Sequence, residues 1–469
     1  MSKSCEYNAT NAFIFNGNNG ELNNNNKYNS NTVRPVSEFC YQNTDRAFLS
    51  FVSSMYFAYY ICRKNKSGTP NAIHFERDLS ANIHELSTRI WNGEYIPKPS
   101  IAFVVTRPCP REVVAAAFDD RIVQHWVVWR LEPLFERCHT LDDDMFSCRV
   151  GKGNLAALQR LRDKVFRASH GYTRDCWIAK FDLKSFFMSI DKCRLYDELI
   201  ALIMSEYNEP DKDILLYLVR IMTFNVPPEH WVRRTPITMW ELMPPEKSLA
   251  NIDWFLALAI GNLWSQTDAN FYNAPFMRWL RSIGFDPTNY VDDFANVFTD
   301  KESFHVAMPH IREYLKTERG LTLHPTKYSE QHYSKGMKFL GGVVKFNRLY
   351  INNRTVGNLI QKVYYYNTYY TTRRQKTKHV EKFVEIINSY FGLMKHFATY
   401  NIRTRIAGDI VAHWGKYLFF DPNFQKATVV RRYRSIEKYR YRARRAHRAE
   451  LRIINTKLQL YYEKRGHII

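Results

Sequence analysis

A chain of 469 residues is too long for one small domain and long enough for several lobes with cores of their own. Its formal net charge of +21 points to a polyanionic partner, nucleic acid first and an anionic membrane surface second. No apolar run of about 18 residues is present and no apolar signal core follows Met1, so the chain reads as soluble and cytoplasmic with no membrane association, and the eight cysteines, with no close Cys-x-x-Cys pair, argue against a zinc site or a disulfide framework.

The first forty residues are dominated by asparagine, a composition that buries little and predicts a loosely tethered tail. Between Asp45 and Gly93 apolar residues recur at helical spacing, with Phe48, Phe51, Val52, Met55, Tyr56, Tyr59 and Tyr60 in one series and a second helix from Arg77 to Trp91. Residues 101–106 read as a strand, 107–110 as a turn and 111–118 as the return strand, after which an Asp at 119 or 120 suits a helix cap. The acidic run Asp142, Asp143 and Asp144 reads as a solvated loop. Gly151-Lys152-Gly153, just before a helix near Leu155, lacks the four-residue spacer and Lys-Ser/Thr ending of a nucleotide-triphosphatase phosphate loop.

Residues 177–187 are apolar and aromatic, hence strand-like, and Asp182 at the strand's end is out of place for a charge. An ion pair with Lys180 or Lys184 is the plain explanation. Residues 194–250, helical and then Pro-rich, take no assignment. Gly261 marks a tight turn before a helix over 267–280, with Ser265 and Gln266 at its start. Residues 289–298 read as strand, turn and strand, with Asp292 and Asp293 side by side at the tip. Adjacent carboxylates raise one another's pKa unless cations neutralise them. An exposed Asp-Asp turn is the alternative. Asp182, Asp292 and Asp293 together supply three oxygen ligands from two strands, a set suited to two Mg²⁺ ions, or Mn²⁺ in their place, about 3.5–4 Å apart for in-line phosphoryl chemistry. From Tyr350 onward the chain turns basic and aromatic, ending in a tyrosine-interleaved run that includes Arg444 and Arg445 and suits a nucleic-acid backbone with unpaired bases.

The hairpin Tyr290-Val291-Asp292-Asp293, with Asp182 upstream and the aromatic Phe187 five residues after it, resembles the palm of reverse transcriptases. Further motifs follow in polymerase order over about residues 100–400. The resemblance implies an α+β right-hand polymerase: an Asn-rich tail (1–40), fingers (41–175), a palm with an RRM-like sheet (176–345, with 194–250 inserted), a thumb (346–430) and a basic helical tail (431–469). It implies an RNA-directed DNA polymerase whose partners are an RNA template, a DNA or RNA primer and dNTPs. Asp182, Asp292 and Asp293 would be its catalytic metal ligands. Arg111 and Lys327 match residues that reach the triphosphate, Phe187 the steric gate against a 2′-hydroxyl, and Gln266 a residue under the new base pair. Arg149 and Lys152 match a segment near the template, Gly341 lies in the Phe-Leu-Gly primer-grip hairpin, and Lys395 and His396 sit in the thumb.

Most reverse transcriptases carry Gln-Gly and Ser-Pro where this chain has Ile260-Gly261 and Ser265-Gln266. That variant resembles the class found in diversity-generating retroelements, where it is associated with error-prone copying opposite adenine and where a small basic accessory protein takes part. The Asn-rich residues 8–36, ending Val33-Arg34-Pro35-Val36, resemble the variable-protein segments of those elements. A defence-associated (anti-phage) reverse transcriptase using a dedicated non-coding RNA or no external template is the second expectation, and a non-catalytic RNA-binding protein that has kept the palm is the third.

Overall fold

The computed structural model describes residues 11–15, 22–26, 44–64, 69–106 and 109–434. Strands β1 (Asn11–Phe15) and β2 (Leu22–Asn26) pair antiparallel, so part of the stretch that composition assigned to a loose tail is a hairpin. The rest of that tail, the turn residues Arg107 and Pro108, and the basic run with Arg444 and Arg445 lie outside the described residues.

The aromatic-rich N-terminal region folds as α1 (Thr44–Arg63), α2 (Pro70–Arg77, with Pro at its first position) and α3 (Leu79–Trp91). Then come β3 (Ile101–Val105), β4 (Arg111–Ala115) and the long helix α4 (Phe118–Arg137). Phe51 and Met55 of α1 and Trp126 and Leu131 of α4 are buried together, and the Trp126 indole donates to Ser54 Oγ at 2.7 Å. The cap of α4 is Ala117 rather than an aspartate. Asp119 and Asp120 instead occupy its first turn, where the helix dipole favours them. Asp120 accepts hydrogen bonds from the Tyr95 hydroxyl at 2.7 Å and the Lys98 amide at 2.9 Å. Burial, then the neighbouring Asp119, push its carboxyl up to about 7.

After α5 (Asn154–Ala168) come β5 (Trp177–Asp182), the single turn α6 (Phe186–Ser189), α7 (Lys192–Glu206), α8 (Lys212–Thr223), β6 (Val232–Arg233) and α9 (Ile237–Trp240). The segment 194–250 thereby gains a role: β6 lies parallel to β3, Ile101 opposite Val232, in a three-stranded sheet of order β4-β3-β6. Helix α10 (Leu263–Ser282) begins four residues before the expected start at 267, because Asn262 is already in extended capping geometry. Strands β7 (Asp286–Tyr290) and β8 (Asp293–Phe298), helix α11 (Lys301–Arg319) and strand β9 (Ser329–His332) complete a four-stranded antiparallel sheet of order β7-β8-β5-β9. Helices intervene between β5 and β7 and again between β8 and β9.

The acidic run near residue 142 is not a solvated loop. Asp144 is 6% exposed and faces Arg160, Lys164 and Arg281, at 2.8, 2.7 and 2.6 Å. Burial alone would raise Asp142, but Arg281, bonded to it at 2.5 Å, reverses this and holds it below the usual carboxylate range. These pairs fasten residues 142–146 along the outer edge of β7, where Asn289 N donates to Asp144 O and Phe146 N to Asn289 O.

The C-terminal part begins with β10 (Met337–Phe339), β11 (Gly342–Lys345) and β12 (Arg348–Ile351), a meander that packs on α5. Helices α12 (Asn353–Tyr369), α13 (Arg373–Met394) and α14 (Tyr400–Trp414) and the hairpin β13 (Leu418–Phe420) and β14 (Ala427–Val429) follow. Leu161, Ile178, Phe339, Phe383 and Trp414 share this second core. Among the described residues no helix is long and apolar enough to cross a membrane.

Candidate active site

β5 and β8 are neighbours at the centre of the four-stranded sheet, and their register sets Asp182, the last residue of β5, opposite Asp293, the first of β8. Asp292 lies one residue back, in the tip of the β7–β8 hairpin. The three backbones are tied directly. Leu183 N donates to Asp292 O at 3.1 Å, and His324 N donates to Asp182 O at 2.7 Å. The pairing of β5 with β8 thus brings together the three carboxylates singled out in the sequence.

Their charges are met by two lysines. Lys327 Nζ lies 2.5 Å from Asp182 Oδ2, and Lys180 Nζ lies 2.9 Å from Asp293 Oδ1. Asp182 therefore pairs with neither Lys180 nor Lys184. Lys180 reaches instead to the adjacent strand, as a diagonal neighbour across an antiparallel pair can. Asp292, the carboxylate without a lysine of its own, is pushed up to about 6 by burial, then by Asp182 and by Asp293. Burial works against the Lys327 ammonium, but the Asp182 hydrogen bond and charge, with Asp292 and Asp293 behind it, outweigh this and raise its pKa.

Hard oxygen donors in mutual repulsion suit a divalent cation such as Mg²⁺. The lysines already hold two of the three carboxylates, and among the described residues no group of three or more His, Cys, Asp and Glu side chains is gathered into a metal cage. A cation at this site therefore competes with Lys327 for Asp182.

The neighbouring loops are sewn to the same point. Ser185, in left-handed backbone (φ 47°), turns the chain from β5 into α6, which carries the half-buried Phe187. Phe187 O accepts from Leu258 N at 2.8 Å, and Ile260 O accepts from Val114 N at 2.8 Å, linking the Asp182 turn through residues 257–262 to β4. Gly261 has φ 116°, and a Cβ there would stand 2.8 Å from Val114 O, so this close approach requires glycine. Arg111 is exposed at the start of β4. Gln266, in the first turn of α10, accepts a hydrogen bond from the Cys148 thiol at 2.9 Å.

The remaining sequence candidates divide into internal and exposed groups. The Arg149 guanidinium is taken up by Asp142 O at 2.7 Å, Met145 O at 3.2 Å and Glu136 Oε1 at 2.7 Å, which directs it into its own loop rather than outward to a strand. Lys152 bonds the Asp143 carbonyl and lies over the Phe146 ring. Gly341 (φ 80°) and Leu340 (φ 44°) form the two-residue turn between β10 and β11. Lys395 and His396 are exposed just after α13. Sequence reasoning missed Lys180 as the partner of Asp293, and it missed Asn273 and Asn289, whose amides both bond the Val291 carbonyl at the hairpin tip. An asparagine next to Tyr290 was visible, but nothing in the sequence says where it points.

No protein-family model matches the chain, and no curated protein matches it. Among solved structures, the chain is similar to telomerase from Candida albicans in complex with a TWJ fragment of telomeric RNA, at 10% identity over 68% of this chain and 63% of that one, with a TM-score of 0.39. It is also similar to apo telomerase from Candida tropicalis, at 10% identity over 67% and 62%, with a TM-score of 0.36. The chain spans less than two thirds of the length of these structures. At this distance the likeness adds no weight to the geometry of the site.

Proposed function

We propose that this protein is an RNA-directed DNA polymerase whose active centre is formed by Asp182, Asp292 and Asp293. The observation that carries the reading is the β5–β8 register, which sets Asp182 against Asp293 beside Asp292 at the head of a four-stranded antiparallel sheet. Lys327 on Asp182 supports it. Two Mg²⁺ ions, when bound, supply a lowered pKa for a primer 3′-hydroxyl and charge stabilisation for departing pyrophosphate.

In this reading Asp182 and Asp292 hold the ions, and Asp293, neutralised by Lys180, sets the spacing. Lys327, released from Asp182, faces the triphosphate together with Arg111, whose planar guanidinium can grip phosphate oxygens bidentately. Phe187 is the residue whose ring would exclude a 2′-hydroxyl. The strongly basic composition fits an RNA template and a primer strand.

Within that activity, the Ile260-Gly261 and Ser265-Gln266 pattern favours the error-prone enzyme of a diversity-generating retroelement, in which Gln266, bonded by the Cys148 thiol, would contact the nascent pair. The test is to purify the protein with its RNA and sequence both that RNA and the DNA made on adding Mg²⁺ and four dNTPs. Complementary DNA with errors concentrated at template adenines supports the reading. Faithful or repetitive DNA from an unrelated structured RNA moves the protein to the anti-phage class.

A further inference from the structure

Val291, between the aromatic and acidic residues of the hairpin, has left-handed backbone with φ 58°. A β-branched side chain rarely adopts this conformation, which persists only where the surroundings enforce it. The register that pairs Tyr290 with Asp293 leaves Val291 and Asp292 as a two-residue hairpin turn, which calls for a positive φ at its first residue, and two further elements hold it there. The Val291 carbonyl oxygen accepts from the side-chain amide of Asn273 on α10 at 2.7 Å and from that of Asn289 on β7 at 2.9 Å. The next carbonyl, of Asp292, is held by Leu183 N, directly after Asp182.

Both asparagines are fully buried, and in both the amide oxygen has no hydrogen-bond partner among the described residues. A buried acceptor left unpaired costs at least as much stability as one donated hydrogen bond returns. Leucine, of similar size, would bury at either position without that penalty. Two buried polar side chains that meet on one strained carbonyl, Asn289 also reaching the Asp293 carbonyl at 3.5 Å, are better explained by what those carbonyls control.

We propose that Asn273 and Asn289 are positioning residues that lock the left-handed turn at Val291 and thereby fix the Asp292 and Asp293 carboxylates relative to Asp182. With the Val291 carbonyl released, the hairpin tip loses its fastening to α10 and the Asp292 carboxylate shifts relative to Asp182. This inference rests on the three carboxylates being the divalent-cation site of the polymerase reading. It adds to that reading two residues that touch neither cation nor substrate.

The test uses the full-length protein and Asn273→Leu and Asn289→Leu, singly and together. Mn²⁺ affinity is measured by calorimetry without nucleic acid, and kcat and KM by primer extension, with Asp292→Asn as the site control. Each leucine variant should retain its resistance to urea yet lose about 10- to 100-fold in Mn²⁺ affinity and in kcat, the range typical of groups that orient metal ligands, while the nucleotide KM changes by less than about 3-fold. Asn tolerates left-handed backbone better than Val, so adding Val291→Asn to Asn289→Leu should recover part of both losses. A purely structural role predicts no such recovery.

If a leucine variant does not fold, the alanine variant at the same position, which makes no demand on space, is read in its place. Wild-type Mn²⁺ affinity and kcat in the folded variants, with Mn²⁺ binding lost in Asp292→Asn, would overturn the clamp and leave the polymerase reading standing. A wild type that neither binds Mn²⁺ nor extends a primer would overturn that reading and the clamp with it.

Discussion

Replacing Lys327 with methionine should move metal binding and nucleotide use in opposite directions. The ammonium sits 2.5 Å from Asp182 Oδ2, so without substrate it occupies a carboxylate that a divalent ion needs. At that separation the bare Coulomb energy is about 7 kcal/mol at an effective dielectric near 20. Lys327 is 59% exposed, however, and solvent-screened pairs of this kind return a net of about 1 kcal/mol. Freeing Asp182 should therefore tighten Mn²⁺ binding by about 5-fold. The same substitution removes a charge-assisted hydrogen bond to the triphosphate worth about 1.5–3 kcal/mol, which lowers kcat/KM for a dNTP by about 10- to 150-fold. Calorimetric titration of the protein with Mn²⁺, and extension of oligo(dT) on poly(rA) at saturating metal, read the two effects separately. Weaker metal binding in Lys327→Met, or an unchanged kcat/KM, would refute the idea that one lysine serves both the empty and the loaded site.

Phe187→Ala should lower the preference for dNTPs over ribonucleotides by about 10- to 200-fold, measured as the ratio of kcat/KM values, and an unchanged ratio would remove Phe187 from the sugar contact. Asp120 has a carboxyl raised from 3.8 to about 7, so the fold favours its protonated form. Its penalty is absent below the unfolded pKa, grows as pH rises toward 7, and reaches at most about 4 kcal/mol above it. Asp120→Asn should flatten the fall in unfolding free energy between about pH 4 and 7, and a variant whose pH profile parallels the wild type would contradict this. Arg281→Met strips the guanidinium bonded to Asp142, Asp144 and Asp286 and should cost about 3–5 kcal/mol in urea unfolding, whereas a loss under about 1 kcal/mol would show the network to be dispensable.

The site was legible where local pattern and chemistry coincide. Asp182 ends an apolar strand and Asp292 and Asp293 sit in a hairpin of alternating residues, so both the strands and the oddity of their charges can be read from spacing alone. Gly261 was legible for the same reason, since a positive φ and a close backbone approach leave a glycine in the sequence. Features set by distant partners were not. Asp144 finds Arg281 across 137 residues, which turned an expected surface loop into a buried network. β6 is two residues long and carries no period of its own, and it forms only because β3 offers an edge. Lys180 alternates to the same face as Asp182, yet its charge goes to Asp293 because strand register places the two diagonally. The clamp on Val291 combines both problems: Asn289 is local but Asn273 arrives from another element, and neither has a sequence signature.

The most direct test of the central assignment compares wild-type protein with Asp292→Asn in DNA synthesis on an RNA template, with a primer, Mg²⁺ and four dNTPs, while RNA affinity is measured in parallel. The expected result is RNA-dependent, Mg²⁺-dependent DNA product from the wild type, none from the variant, and RNA binding within about 3-fold for both, since the carboxylate contributes charge repulsion rather than a phosphate contact. Extension that survives in Asp292→Asn, or a wild type that binds RNA but makes no DNA on any primed template, would contradict it.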